Sequence, residues 1–220
     1  MELKKVVISF PDVKLNQRDA HKLRGYLGNV FKEHSPLLHN HFDDGKLRYS
    51  YPFVQFKVID KNPYIIAIDE GCDVLIDLFL KIKELRIDER VIEIYSKNIN
   101  CEKDIIQISD TMVDYEFKTG WFALNQENFN EFIKIKSKAQ STELLKKILT
   151  SNILSFNKSI RNWIDKKIYV SLDVKKSKTK FKEREMFIFN GKFSANILLP
   201  DYIGLGKSVS RGFGTIKKII

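Results

Sequence analysis

Between residues 3 and 96 the spacing of apolar residues switches from two to three or four and back, in the order of a β-α-β-β-α-β unit. Few folds accept that order. The alternating run "LKKVVISF" is followed by a helical pattern from Asn16 to Lys32, strand patterns "YPFVQFKVI" and "YIIAID", a second helical pattern "CDVLIDLFLKIKEL" and a last strand "ERVIEIYS". In the first helix Asn16 is placed to cap the N-terminus, and Ala20, Leu23, Leu27, Val30 and Phe31 share one face. Its other face carries Arg18, Lys22 and Arg24, read most plainly as solvated bases. This order is the ferredoxin-like motif, whose four-stranded antiparallel sheet leaves a face or an edge for a partner, as in many RNA-binding modules.

The second half repeats the theme less regularly. Strand patterns "DIIQISD", "MVDYEF" and "GWFAL" precede a long helical pattern, "STELLKKILTSNILSFNKSIRNWI", and then come "KKIYVSLDV", "REMFIFN", "KFSANILL" and a final "FGTIKKII". The expected architecture is α+β: two tandem ferredoxin-like (RRM-like) domains, each with an antiparallel sheet, over residues 1–98 and 99–220. The histidine-rich loop falls in the first and a Gly-rich loop in the second.

Composition supports a packed core and a polyanionic partner. Of 220 residues 43% are hydrophobic, including 16 Phe, while 10 Gly and 5 Pro are too few for a disordered or fibrous chain. Thirty-eight Lys and Arg against 28 Asp and Glu give a net charge of +10, the balance of a protein that meets nucleic acid. No stretch approaches the roughly 20 apolar residues of a membrane span, and the start lacks a signal peptide's apolar region, so a cytoplasmic protein without membrane contact is expected. Cys72 and Cys101 have no CxxC or zinc spacing and read as two reduced core thiols.

Two stretches are suited to phosphate. Lys166 to Arg184 holds eight bases against two acids. If extended, it aligns Lys176, Lys178, Lys180, Lys182 and Arg184 on one face, a sequence-blind rail for a phosphate backbone. The plain alternative is a solvated hairpin. The tail "GLGKSVSRGFGTIKKII" sets Gly204, Gly206, Gly212 and Gly214 among Lys207, Ser208, Ser210 and Arg211. Glycines let backbone amides approach an anion, and the polar residues add charge and hydrogen bonds. It is neither a P-loop, since Asp201 stands where the first Gly belongs, nor a dinucleotide fingerprint, since Val209 stands where the third Gly belongs. "RGFG" opens like the aromatic strand motif of RNA-recognition modules, but Thr215 and Lys218 replace its aromatics. A tight turn into a last strand is the bland reading.

"HSPLLHNHFDDGK" gathers three of the four histidines. Two imidazoles can divide the work of RNA cleavage without a metal, one taking the 2′-hydroxyl proton and one protonating the leaving 5′-oxygen. His39 and His41 would face opposite ways in a regular strand, but in a loop they can converge on one phosphate. HxH also pairs for zinc or iron, with Asp43 or Asp44 as a third ligand. Loop histidines are also often plain surface residues.

Taken together, "HKLRGYLGNVF", "PLLHNHFDDGKLRYSYPFVQFKVID", "AIDEG", "TGWFALN" and "GLGKSVSRGFGTI" resemble the CRISPR-associated (Cas) endoribonuclease that cuts precursor CRISPR RNA within its repeats, in its archaeal and clostridial form with a histidine loop. The resemblance spans nearly the whole chain, with the histidine loop and the Gly-rich tail its specific parts. It implies tandem ferredoxin-like domains, no cofactor, and metal-independent cleavage giving a 2′,3′-cyclic phosphate and a 5′-hydroxyl. By motif His39 and His41 would be the catalytic pair, with Tyr49, or else Tyr51, in support. Lys46 and Arg48 would stabilise the phosphorane, and residues Gly204 to Gly214, with Lys176 and Lys178 of the rail, would grip the RNA. His34 and His21 carry less weight, the former as a loop residue and the latter as a structural residue or phosphate neighbour. Precursor CRISPR RNA repeat is the expected partner, with other Cas proteins of an effector complex and a second copy of the chain as further candidates. Two readings compete: a non-catalytic CRISPR RNA-binding scaffold of the same fold, and an HxH metalloenzyme acting on a small molecule.

Overall fold

A computed structural model of the chain describes residues 1–31, 51–181 and 184–219. They form two compact units. One comprises Glu2–Asp104 with Val209–Gly212, and the other Met1, Ile105–Ser208 and Phe213–Ile220.

In the first unit β1 (Glu2–Ser9), a 3-10 turn (Gln17–Asp19), α1 (Ala20–Val30), β2 (Val54–Ile59), β3 (Asn62–Ile68) and α2 (Gly71–Phe79) follow the expected order. β3 pairs antiparallel with both β1 and β2, and Ile59 opposes Asn62 across a two-residue turn. Asp60 and Lys61 there both have positive φ, 49° and 67°, as a turn matched to strand twist requires. The fourth strand corrects the sequence expectation. "ERVIEIYS" contributes only β5 (Arg90–Glu93), which pairs with β4 (Glu84–Ile87) in a separate two-stranded sheet. β6 (Asn98–Ile105) completes the main sheet, whose order is β2-β3-β1-β6.

One face of this sheet is covered by α1 and α2, through a core that includes Val6, Ile8, Phe10, Leu23, Leu27, Phe56, Ile65 and Leu75. Fully burying each such side chain contributes about 1.5–3 kcal/mol. Val30, expected on the buried face of α1, is 48% exposed, because the core contacts end with Leu27 and Phe31. Asn16 donates its backbone N–H to Asp19 Oδ2 at 3.0 Å, closing the turn that starts α1. Cys72 is buried as expected, but Cys101 is exposed on β6, an edge strand with no fully buried position.

The second unit repeats the topology with its own embellishments. β7 (Gln107–Phe117), α3 (Gln126–Phe132), α4 (Lys138–Ser159), β8 (Val170–Phe181), β9 (Arg184–Leu198) and β10 (Ile216–Lys218) form a sheet of order β10-β7-β9-β8, the same permutation as in the first unit. "DIIQISD" and "MVDYEF" lie largely in the single strand β7, which carries an irregularity between Ile108 and Val113. "GWFAL" is not a strand. Trp121 makes only an isolated bridge to Phe189, stacks on Phe117 (5.3 Å, 2°) and donates Nε1–H to Asn152 Oδ1 at 3.1 Å. Where α2 joins the third and fourth parts of the pattern in the first unit, the chain between β9 and β10, residues 199–215, forms no α-helix, and its Val209–Gly212 belong to the first unit. Among the described residues no helix is long and apolar enough to cross a membrane.

Candidate nucleic-acid interface

His34, His39, His41, Lys46, Arg48 and Tyr49 lie outside the described residues, while Tyr51 is half-buried just before β2. The chain leaves α1 at Val30 and re-enters β2 at Val54, so residues 32–50 connect these two elements.

The same two elements seat part of the Gly-rich tail. Val209–Arg211 form a 3-10 turn packed on β2 and α1. β2, "VQFKVI", alternates apolar Val54, Phe56 and Val58 with polar Gln55 and Lys57, the pattern of a half-solvated strand, yet all six positions are buried. The tail segment accounts for Lys57: its Nζ donates to the Val209 carbonyl at 3.0 Å, and Gly212 N–H donates to the same oxygen at 3.3 Å. Burial lowers the Lys57 pKa to about 7, because desolvation disfavours the ammonium. Gly212 has φ +95°, and a Cβ there would stand 2.6 Å from Ala20 Cβ, so glycine is what lets the tail lie against α1.

Arg24 on α1 is not the solvated base its position predicts. It is half-buried, and its pKa is lowered by burial and by the nearby Arg211 guanidinium. Two like charges held together under partial desolvation favour an anion beside them. Lys22 takes the ordinary course, paired with Asp19 at 3.3 Å and with Asp88. His21 is held through Nδ1 by the Arg18 carbonyl at 2.6 Å.

In the second unit the rest of the tail is anchored to "TGWF". Gly214 N–H donates to the Gly120 carbonyl at 2.9 Å, and Lys207 N–H to that of Phe122 at 2.9 Å. The Thr119 hydroxyl accepts Thr215 N–H and donates to Thr215 Oγ1, both at 2.9 Å. Gly206 and Gly214 also have positive φ, and added Cβ atoms would meet Phe122 O at 2.7 Å and Leu205 O at 1.9 Å respectively. The sequence offers these glycines as places of ligand approach, and here their own backbone packing requires them. Gly204, Ser210, Gly212 and Gly214 are buried; Lys207 is exposed, and Gly206, Ser208 and Arg211 are half-exposed. Four of these eight residues thus have surface to offer a ligand.

Lys176 and Lys178 stand exposed on β8, with Lys180 on the same face. The rail is shorter than the sequence pattern predicts. β8 ends at Phe181 and Arg184 opens the returning strand, while Lys182 lies outside the described residues. Lys176 Nζ sits 4.7 Å from the Phe187 ring centroid, and Lys178 is bonded to Glu185 at 2.9 Å.

The sequence reading missed Lys57 and the anchoring role of Thr119 to Phe122. A lysine and a glutamine alternating with apolar residues in a six-residue strand were the available signal.

Two ferredoxin-like units with a basic, glycine-rich tail define a class of RNA-handling proteins. The Cas6b N-terminal domain family matches residues 1–105 and the Cas6b C-terminal domain family residues 107–219. The chain therefore belongs to the Cas6b family. It is 38% identical to a Cas6b of known crystal structure, each chain covered in full, with a TM-score of 0.94. A second, described as the CRISPR RNA processing endoribonuclease Cas6b, is 34% identical over the full length of both, with a TM-score of 0.81. An uncharacterized protein of Methanocaldococcus jannaschii is 29% identical over 144 residues, 65% of this chain and 97% of that protein.

Proposed function

We propose that this chain is a metal-independent endoribonuclease that cuts precursor CRISPR RNA within its repeats. The observation that carries the reading is the seat of Val209–Gly212 on α1 and β2, the two elements that the histidine-bearing residues 32–50 connect. The two most specific motifs of the chain are thereby tied to one pair of elements.

In this reading one of His39 and His41 removes the 2′-hydroxyl proton as that oxygen attacks the adjacent phosphorus. The P–O5′ bond breaks, and the other histidine protonates the departing 5′-oxygen. The products are a 2′,3′-cyclic phosphate and a 5′-hydroxyl. Tyr49 orients the attacking group, Lys46 and Arg48 stabilise the phosphorane, and Arg211 with Lys207 holds flanking phosphates. The domain of residues 1–98 supplies the proton carriers, and that of 99–220 the lysines of β8 and, in sequence, the Gly-rich loop, whose Val209–Gly212 belong to the first compact unit. The work is that of a cytoplasmic protein acting on the CRISPR transcript, alone or beside other Cas proteins.

Cleavage of repeat RNA in EDTA, with and without a single 2′-deoxy sugar at the cut site, tests the reading. Cutting that survives EDTA and is blocked by the deoxy sugar is expected. Loss of cutting in EDTA would return "HNH" to a metal site, and binding without cutting would make the chain a scaffold.

A further inference from the structure

The second unit contains a cleft of about 300 Å³ whose walls include Phe122, Asn125, Gln126, Phe129, Phe187 and Lys207. That volume is at the small end of the range for small-ligand sites, about 300–1,000 Å³. Nothing in the proton-transfer scheme uses it. We propose that this cleft takes one unpaired nucleobase of the repeat RNA, with the adjoining phosphate on Lys207. The inference rests on the RNA-cleaving reading above and adds to it a binding site for substrate.

The walls are those of a stacking site. Phe129 of α3 and Phe187 of β9 are half-buried, with centroids 5.5 Å apart and planes inclined by 39°. The tilt gives the two rings a corner rather than a closed stack, which suits a flat ring laid against one of them. Lys176 Nζ, 4.7 Å from the Phe187 centroid, braces that ring by a cation–π contact.

Polar groups at the rim match a base edge. Asn125 caps α3, its Oδ1 accepting Asn128 N–H at 2.7 Å, which fixes the side chain and leaves its amide N–H groups as donors. Gln126 uses Nε2 toward Asn130 Oδ1 at 3.4 Å, leaving its carbonyl oxygen as an acceptor. Each RNA base presents a donor and an acceptor side by side, so this pairing accepts any of the four.

Charge favours a nucleotide over an uncharged aromatic ligand. Glu185 also lines the cleft but is paired with Lys178 at 2.9 Å, which leaves Lys207, exposed and 5.9 Å from the Phe122 centroid, as the net charge at the opening. The backbone N–H of Lys207 is held by the Phe122 carbonyl at 2.9 Å, so the loop bearing this charge is fixed to a wall of the cleft.

The test places 2-aminopurine singly along the repeat RNA of the host's own CRISPR array and follows its fluorescence on binding to the full chain. One position should be quenched, and Phe129→Leu, which keeps an apolar side chain but loses the ring, should abolish that quenching and weaken affinity by about five- to hundredfold. Phe129→Tyr should restore both. An abasic sugar at that position in the RNA should weaken binding to the wild-type protein alike, a result independent of any variant's folding. If wild-type protein cuts the repeat while no position responds to Phe129→Leu and the abasic scan is flat, the base site is overturned and the nuclease reading stands. If wild-type protein neither binds nor cuts the repeat, both fall.

Discussion

Lys57 and Val209, 152 positions apart in sequence, are joined by a single buried hydrogen bond from the lysine Nζ to the Val209 carbonyl at 3.0 Å. The bond fastens the Gly-rich tail to the centre of β2, at the cost of holding an amine where burial lowers its pKa to about 7.

A pH dependence follows from that burial. An unfolded lysine keeps its proton to about 10.5, whereas folded Lys57 releases it near 7. Between those values the unfolded chain binds more protons, so stability rises with pH, by at most about 1.4 kcal/mol per pH unit from this one group. Denaturant titrations at pH 7, 8 and 9 should show this slope in the wild type and a flatter one in Lys57→Met. Equal slopes would mean the amine is not desolvated.

Two glycines should respond in opposite ways to the same change. Gly212→Ala brings a Cβ within 2.6 Å of Ala20 at φ +95°, and should cost about 1–3 kcal/mol. Gly25→Ala, on the exposed side of α1 with nothing within 4 Å, should stabilise by about 0.5–1 kcal/mol. Thermal unfolding of both variants checks the pair. A neutral Gly212→Ala would remove the close seat of the tail.

His39→Ala and His41→Ala should each slow repeat cleavage by about 10²–10⁴-fold, the usual worth of a positioned acid or base. Repeat affinity should stay within about twofold, the ordinary scatter for groups that carry a proton rather than grip a phosphate. Single-turnover rates beside filter binding separate the two effects, and a variant that cuts at the wild-type rate loses its assignment.

Lys207→Ala combined with Arg211→Ala should weaken repeat binding and reduce the salt dependence, log Kd against log salt, by roughly 1.4 to 1.8 if each base neutralises one phosphate. Affinity measured at several salt concentrations reads this directly. An unchanged slope would take both residues out of the interface.

The thiols give a quick check on the first unit. Cys101 is exposed, while Cys72 is buried with its pKa pushed up to about 11 by burial. A thiol reagent should modify one cysteine in the native protein and two in denaturant. Rapid modification of both in native buffer would contradict the packing of α2.

The β-α-β-β-α-β order was legible because Leu23, Leu27, Phe56 and Ile65 face one core from both element types, which imposes both periods on the sequence. β6 was not, because an edge strand with mostly exposed positions has no apolar alternation to read. The seat of the tail was hidden for a different reason. Lys57 has a polar side chain on the strand face that alternation assigns to solvent, and only a segment 152 positions away covers it. The glycines were visible as a cluster, but which of them serve packing depends on neighbours such as Ala20 and Leu205 that no local spacing announces. The histidine loop, Lys46, Arg48 and Tyr49 lie outside the described residues, so their assignment still stands on the sequence motif and its resemblance.

Because Val209 is made 152 residues after Lys57, the first unit cannot close when its own sheet emerges from the ribosome. At about 5–20 residues per second, β2 waits roughly 8–30 seconds for its cover. During that interval Lys57 stays hydrated and charged, and the nascent sheet has an unfinished face. The late arrival of the Gly-rich segment therefore makes a properly closed N-terminal unit a record that translation has passed through nearly all of the second one.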